Sequence, residues 1–451
     1  METPEKSIIE TISQFIRRSV TIKLVSIFIL MMLLMIPMEF VRSLINERDT
    51  LRESAVREVS GKWANEQNIY GPILTIPYNK QVIEDGKTTL VREQAHILPS
   101  LIIIDGKIKP QSLYRGIYKV VVYDSKVSIK GSFSGLDKYL DEISHHELLW
   151  NEAFLTINVS DLRGIKDKVN VKWNGVDNPV DPGSKIPELI SSGITVNSLF
   201  AGEPMGQLFD FSFDLHLQGS QYLSFIPLGK ETKVNISSNW QDPSFSGSFL
   251  PDERTVNDKG FSASYKILEL NRNYPQFWTG NQHIQNMQNS AFGVNLLLPS
   301  NDYQKATRST KYALLAIALT FLTFFLVEIF NKNRVHPFQY ILIGLSLVLF
   351  YTLLISISEH LNFDLAYIIS SLSVIAMIGL YSKTIFDNLK QSLILVLILV
   401  LTYTFVYITL QIQDYALLIG SVGLTVILGV TMYITSKVNW YDLNSLNKGD
   451  S

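Results

Sequence analysis

The pattern of hydrophobic and polar positions divides the chain into a long polar region and a run of membrane-length apolar segments. The change falls at Asp302–Glu328, where three basic residues precede an apolar stretch at about 312–330. An α-helix rises about 1.5 Å per residue, so a stretch of this length spans a hydrocarbon core of roughly 30 Å. We therefore expect an aqueous domain before this point and a helical membrane bundle after it.

Five further apolar segments complete the predicted membrane part. One of them, Leu24–Phe40, follows basic residues near the amino terminus, and no small-x-small cleavage site follows it, which favours an uncleaved signal anchor over a cleaved signal peptide. Residues 41–60 continue with strong helix formers and predict a helical stalk. The other segments lie after the first one, at about 338–358, 363–382, 392–411 and 415–435.

The short connections between these segments predict their orientation. Loops that stay on the inner side of a membrane are enriched in Lys and Arg. The connections around Glu359–Asn362 and Gln411–Asp414 carry neither, whereas the alternate connections and the tail carry Lys332, Arg334, Lys383, Lys390, Lys437 and Lys448. Together with a basic amino terminus, this pattern predicts six spans, both termini inside, and residues 61–309 outside.

The polar region has the turns and alternation of β structure. Asp85-Gly86 and Asn174-Gly175 favour two-residue hairpin turns, and Phe211, Phe213 and Leu215 alternate with polar residues. Strands of this kind bury one face and expose the other, which predicts antiparallel, sandwich-like sheets. A stretch rich in Pro, Gly and Ser at Asn178–Gly206 leaves open whether there is one sandwich or two lobes.

These patterns predict four regions. Residues 1–60 hold the inner amino terminus, the anchor and the stalk. Residues 61–309 form the outer β-rich domain, 310–436 a bundle of five helices, and 437–451 an inner tail.

Composition narrows the range of functions. Apolar residues make up 47% of the chain and charged residues 18%, with a mean hydropathy of +0.16, which agrees with a membrane protein. The net charge of −2 argues against a nucleic-acid partner. The chain has no cysteine, which excludes disulfides, thiolate metal sites and cysteine nucleophiles. Membrane lipids are the partners that composition itself predicts.

Two groups of polar residues are candidate sites. Ionisable groups in or beside spans are costly in hydrocarbon, so Glu359, His360 and Asp364 are a candidate polar vestibule, although loop residues in water explain them as well. Glu328, in the first span of the bundle, lies close to the predicted inner interface near Lys332 and Arg334, so snorkelling to the interface or pairing with these residues explains it. The turn-rich segment DPSFSGSFLPDER is a candidate binding loop or an ordered loop with packed Phe side chains; its candidate residues are Asp242, Phe245, Phe249, Asp252, Glu253 and Arg254.

The usual signatures of catalysis do not match. His145-His146-Glu147 resembles part of a zinc motif, but Trp150 occupies the position of the last His. Gly131–Gly135 has Phe133 where a nucleophile elbow has Ser. The chain has no Walker loop and no dinucleotide fingerprint. The sequence therefore predicts no catalytic residues, no metal and no cofactor, and a protein that is not an enzyme.

Several stretches together resemble the CreD family of bacterial inner-membrane proteins, also called cell envelope integrity proteins. The resemblance covers nearly the whole chain in order. It is carried by KLVSIFILMMLLMIPMEFVRSLINER, GPILTIPY, RGIYKVVVY, SDLRGI, LSFIPLGKETKVNISSNWQDPSFSGSFLPDERTV, DYQKATRSTKYALLAIALTFLTFFLVE, RVHPFQY, LFYTLLISISEH and LQIQDYALLIGSVGL.

The resemblance implies a multi-pass protein of the bacterial inner membrane, linked to envelope integrity and the envelope stress response, whose outer domain is periplasmic. It implies no catalytic residues. The function we expect is that of a non-enzymatic protein whose periplasmic domain binds an envelope component or a periplasmic or inner-membrane protein. The alternative is a transporter, or a protein that handles lipids or other envelope components with its helical bundle.

Overall fold

The structure is a computed structural model that describes residues 20–84, 87–202, 208–296, 302–331, 335–386, 388–412 and 415–436. These residues fold as two units. One unit, Arg52–Pro299, is built mainly of strands, and the other, built of helices, takes its residues from Met1–Leu51 and Ser300–Ser451. A 44-residue helix, α1 (Val20–Trp63), contributes to both units, so the predicted anchor and stalk form one continuous helix.

The described residues of the strand unit form eighteen strands and two short helices, α2 (Leu136–Leu140) and α3 (Ile284–Asn289). The strands are β1 (Gln67–Glu84), β2 (Lys87–Ile97), β3 (Leu101–Arg115), β4 (Tyr118–Ser134), β5 (Glu147–Leu148), β6 (Phe154–Val159), β7 (Asn170–Trp173), β8 (Val176–Pro179), β9 (Asp181–Pro182), β10 (Gly193–Val196), β11 (Leu208–Ser220), β12 (Tyr222–Phe225), β13 (Glu231–Ser238), β14 (Pro243–Gly247), β15 (Glu253–Asn257), β16 (Gly260–Leu268), β17 (Phe277–Thr279) and β18 (Phe292–Leu296).

These strands form two large mixed sheets. The first has the order β14-β18-β12-β1-β6-β10-β9, with β2 and β5 also paired to β1 and β17 paired to β2. The second has the order β15-β16-β13-β3-β4-β11-β7-β8. Most neighbours are antiparallel, as the alternation predicts, but β1 pairs with β12 and β3 with β13 in parallel. Both parallel pairs join segments that are far apart in sequence.

Both sheets contribute side chains to one hydrophobic core. Phe211, Phe213 and Leu215 alternate inward from β11 and are at most 4% exposed, as predicted. Residues from the two sheets meet at Tyr265 and Phe292, whose ring centroids are 4.7 Å apart. Burying one such side chain contributes about 1.5–3 kcal/mol. Because buried residues of both sheets belong to one cluster, the described strands form one sandwich-like unit.

The predicted hairpin turn at Asn174-Gly175 is confirmed. Trp173 pairs with Val176, and the two residues between them have φ angles of 47° and 80°. This is the left-handed region that a two-residue turn of this kind requires and that Asn and Gly adopt readily. The turn predicted at Asp85-Gly86 lies outside the described residues, although its flanking residues Glu84 and Lys87 pair.

The helical unit contains α1 up to Leu51 and six further helices among its described residues. These are α4 (Asp302–Lys311), α5 (Ala313–Asn331), α6 (Pro337–Ser358), α7 (Phe363–Ile385), α8 (Leu389–Gln411) and α9 (Ala416–Thr435). Among the described residues, five helices are long and apolar enough to cross a membrane, and the bent pair α4 and α5, with an angle of 44°, counts as a sixth if the two helices form one span. All six predicted segments are therefore helical; five of them are candidate spans as single helices, and the segment at about 312–330 lies mostly in α5 of the bent pair.

Candidate functional site

The candidate binding loop divides into residues that pack and residues that are exposed. Phe245, on β14, packs against Phe261 with ring centroids 5.6 Å apart, and Phe249 packs edge-on against Phe292 at 5.9 Å. Both phenylalanines therefore anchor the segment to the core. They do not form an exposed apolar patch.

The acidic and basic residues of the loop lie at the surface. Asp242, Asp252, Glu253 and Arg254 are exposed. The Asp252 carboxylate accepts a hydrogen bond of 2.6 Å from the backbone N–H of Lys266, so it fastens the loop to β16. Glu253 and Arg254 begin β15, the edge strand of the eight-stranded sheet.

Glu253 and Arg254 line an open groove on the outer face of this sheet. The groove has a volume of about 440 Å³ and crosses β15, β16, β13, β3 and β4. Its floor is a chain of hydrogen bonds, in which the Ser264 hydroxyl donates to Asn235 Oδ1 at 3.0 Å and Asn235 Nδ2 donates to Asp105 Oδ1 at 2.9 Å. Polar side chains held in this way are ordered and still exposed to a ligand.

Two lysines face each other at the other side of this groove. Lys107 and Lys126 are directly opposite in the pairing of β3 with β4, and both line the groove. Like charges in this position repel each other. The sequence alone did not identify these lysines or Asn235 as site residues. The feature that could have identified them is the alternation of apolar and polar residues, which places each of them on the polar face of its strand.

His216 lies beside Lys126 on the neighbouring strand β11. Its Nδ1 is 2.7 Å from an Asp167 carboxylate oxygen, and its Nε2 is 2.9 Å from one of Asp124. The hydrogen bond to Asp167, followed by the one to Asp124, raises the pKa of His216 above its usual value of 6.5. The raised pKa favours the protonated form of the imidazole, which lies next to Lys126.

The candidate vestibule residues have separate partners. The Glu359 carboxylate, 11% exposed, accepts a hydrogen bond of 3.3 Å from the Tyr303 hydroxyl and lies 3.6 Å from Nε of Arg48. Asp364 Oδ1 accepts one of 2.5 Å from Gln411 Nε2, and His360 is exposed. Glu359 thus connects α1, α4 and α6, and Asp364 connects α7 to the end of α8, so both carboxylates fasten helix ends together.

Glu328 is buried near the far end of α5 and pairs with Lys23 of α1. Its carboxylate also accepts hydrogen bonds from the backbone N–H of Val335 at 3.1 Å and from the Tyr340 hydroxyl at 3.3 Å. The sequence suggested pairing with Lys332 or Arg334, which lie outside the described residues. The partner that the structure shows is 305 residues away in the chain, so no local pattern predicts it.

The SDLRGI stretch explains how the end of α1 is held in the strand unit. The Asp161 carboxylate accepts hydrogen bonds from the Asn65 backbone N–H at 2.9 Å and from Arg163, which also donates to the Gly61 carbonyl at 2.5 Å. The hydrogen bonds from Arg163 and Asn65 to its carboxylate lower the pKa of Asp161 to about 2, the contact with Arg163 being the largest cause. A Cβ on Gly164 would come within 2.3 Å of the Gln218 carbonyl oxygen, so the turn tolerates no side chain there.

The residues around the histidine pair have structural roles. His146 stacks on Tyr78 with ring centroids 5.3 Å apart, and Glu147 accepts a hydrogen bond of 2.8 Å from Asn79. Within the described ranges, no group of three His, Asp or Glu side chains is arranged to hold a metal ion.

Comparison with known proteins identifies the family. A family model described as inner membrane protein CreD matches residues 19–441. Inner membrane protein CreD of Escherichia coli strain K12 is 33% identical over 423 residues, which cover 93% of this chain and 93% of that protein. The match includes the anchor, the strand unit and the helical unit. The chain is a multi-pass protein of the inner membrane and belongs to the CreD family.

Proposed function

We propose that this protein supports the integrity of the cell envelope by binding an envelope component or a partner protein through its strand unit, without catalysing a reaction. The observation that carries the proposal is the open groove on the eight-stranded sheet. Its floor of Ser264, Asn235 and Asp105 is held by internal hydrogen bonds, and its sides bear charged groups. Such a surface presents fixed donors and acceptors to a polar ligand.

The proposed location of this groove is the periplasm. Basic residues in alternate loops support a topology with both termini in the cytoplasm and the strand unit on the other side of the membrane. The envelope role follows the resemblance to the cell envelope integrity proteins, and it requires the groove to face the envelope.

The absence of catalysis is part of the proposal. The residues that line the groove include serines, two acids, two lysines and an arginine, but no histidine. The acid on the groove floor, Asp105, is already hydrogen-bonded to Asn235. A binding surface needs only fixed polar groups, whereas catalysis needs a nucleophile, a base and an orienting group placed together, and the sequence offers no such set.

Photo-crosslinking in cells tests this function. A benzophenone side chain placed at Thr255 or Ser262, both in the groove, is expected to give the same specific adduct. The matched control is Val176, on the far edge strand β8 and 64% exposed. The proposal is contradicted if the probe at Val176 gives the same adduct in equal amount. It is also contradicted if a folded protein with the probe in the groove gives no adduct.

The second candidate function is the handling of a lipid or another envelope component by the helical bundle. The observation that favours it is an apolar cleft between α5, α8 and α9. The predicted vestibule at the other end of the spans has a direct test, which is the triple variant Glu359→Gln, His360→Asn and Asp364→Asn. An unchanged cellular phenotype of that variant rules out a pathway through these side chains.

A further inference from the structure

The cleft in the helical unit is large and lined almost entirely by hydrocarbon. It has a volume of about 610 Å³ and lies between α5, α8 and α9. From α8 it is bounded by Ile394 through Phe405, and from α9 by Gly423 through Ile434. Its polar members are threonines, of which Thr323 and Thr402 donate their hydroxyls to carbonyls of their own helices. The surface that remains for a ligand is therefore apolar.

Helix α9 does not close this cleft with its own side chains. Within Leu418–Thr435 no described residue is buried, and Val426 and Val430, which line the cleft, are 58% and 52% exposed. Helices α8 and α9 approach each other closely at Gly423, where a Cβ would come within 2.3 Å of the Phe405 ring. Protein interiors are packed to high density, so a cleft of this size beside one close contact calls for another occupant.

The length of the cleft fits one leaflet of a bilayer. Ile394 to Phe405 and Gly423 to Ile434 each cover eleven residue steps, or about 16 Å of helix at 1.5 Å per residue. The hydrocarbon core of a bilayer is about 30 Å thick, so the cleft extends over roughly half of it. A lipid acyl chain has this length and is apolar throughout, so it fits the cleft.

A cation lies where the headgroup of such a lipid would be. Lys390 precedes Ile394 by four residues on α8, which places the two on the same face of the helix, one turn apart. Lys390 is exposed and has no acidic partner within ion-pair distance among the residues that the structure describes. An ammonium group at the end of an apolar cleft matches the phosphate of a phospholipid.

We propose that this cleft binds one acyl chain of a phospholipid and that Lys390 binds the phosphate of the same molecule. On the proposed topology the lipid belongs to the cytoplasmic leaflet. The bound chain fills the space between α8 and α9 and so completes the packing of the last span. This site goes beyond the binding function proposed for the strand unit, because it requires neither the groove nor a partner of that unit, and it specifies the ligand class for the cleft of the second candidate function.

Native mass spectrometry of the full-length protein, purified in detergent and mixed with palmitoyl-oleoyl phosphatidylglycerol, tests the site. The wild-type protein is expected to retain one lipid per chain. Val426→Phe with Val430→Phe fills the cleft and is expected to lower lipid occupancy about tenfold, because most of the buried chain methylenes lose their place. The matched control, Leu424→Phe with Leu428→Phe, changes exposed α9 residues outside the cleft lining and is expected to bind as the wild type does.

The headgroup contact has its own pair of variants. Lys390→Gln is expected to weaken binding about fivefold, since one basic residue near a lipid surface contributes about that factor. Lys383→Gln, which removes an exposed lysine outside the cleft, is expected to leave binding unchanged. Equal lipid loss in the cleft-filling and control variants overturns the proposal. The proposal is also overturned if the wild-type protein is a dimer without bound lipid and the cleft-filling variant is a monomer, because a second copy of the chain is then the occupant of the cleft.

Discussion

His216 shows how neighbouring side chains set the charge of one residue on the outer face of a sheet. Both of its ring nitrogens lie within hydrogen-bond distance of carboxylates, those of Asp167 and Asp124. A histidine with two such partners is most stable when both nitrogens carry a proton. Because Lys126 lies directly across on β4, protonation of His216 increases the positive charge beside the groove.

The stability contributed by His216 is expected to depend on pH. The folded-state pKa is raised, so the contribution is fully present below the unfolded value of about 6.5 and is lost as the pH rises through the raised folded value. His216→Asn should therefore lower the unfolding temperature of the full-length protein in detergent more at about pH 5.5 than at about pH 8.5. His145→Asn, at an exposed position, is the control. An equal loss at both pH values for His216→Asn contradicts the expected charge.

The sequence predicted which residues are buried more reliably than it predicted which residues contact each other. Phe211 and Phe213 were predicted to face the core from their spacing alone, and they do. The contacts of Glu328 with Lys23 and of Asp161 with Asn65 could not be predicted in this way, because each joins distant segments brought together by the fold. Lys107 and Lys126 of the groove were missed for the same reason, since their position beside Glu253 and Arg254 depends on strand order.

At the scale of elements, α1 is fastened within each unit by different chemistry. Its first turns are held in the helical unit by the buried pair of Lys23 with Glu328. Its last turns are held in the strand unit, where Glu58 accepts a hydrogen bond of 2.8 Å from Arg115 and Trp63 donates one of 3.3 Å to the Tyr123 carbonyl. The two ends of α1 are therefore held by different contacts, each within its own unit.

Removing the carboxylate of the buried pair is expected to destabilise the helical unit. Breaking a buried ion pair costs about 3–5 kcal/mol, and the cost here should be about 1–3 kcal/mol because Lys23 retains some contact with solvent. Glu328→Gln should show this loss in chemical unfolding of the full-length protein in mixed micelles. Lys23→Met combined with Glu328→Gln should recover part of it, since no charge is then left unpaired. A loss no greater than that of the exposed control Lys383→Gln would show that the pair contributes little.

Helices were easier to predict than sheets. A membrane span is specified by its own residues, through length and hydropathy, and the predicted spans differ from the helices by a few residues at their ends. The pairing of β7 with β8 is also specified locally, because the two-residue turn at Asn174-Gly175 joins these strands. Strand order is not local: β1 pairs with β12 and β3 with β13 across more than a hundred residues, and no alternation pattern encodes such a choice.

At the scale of the whole molecule, the proposed function depends on which side of the membrane holds each unit. The groove binds an envelope component only if the strand unit lies in the periplasm. The lipid cleft lies in the cytoplasmic leaflet only if the connection between α7 and α8 is cytoplasmic. Both conditions follow from one topology, which the basic residues of alternate loops predict.

Because the chain contains no cysteine, single introduced cysteines report this topology without background. Thr255→Cys, in the groove, and Leu361→Cys, between α6 and α7, are both exposed and are expected to react with a membrane-impermeant maleimide in intact spheroplasts. Thr384→Cys, near the end of α7, and Ser436→Cys, after α9, are also exposed and should react only after lysis. The reverse pattern would place the groove in the cytoplasm and refute its envelope role. Labelling of Thr255→Cys together with protection of Leu361→Cys would change the number of spans between them, and the bent pair α4 and α5 would then not cross the membrane as one span. The four positions thus test the orientation of the strand unit and the sixth span separately.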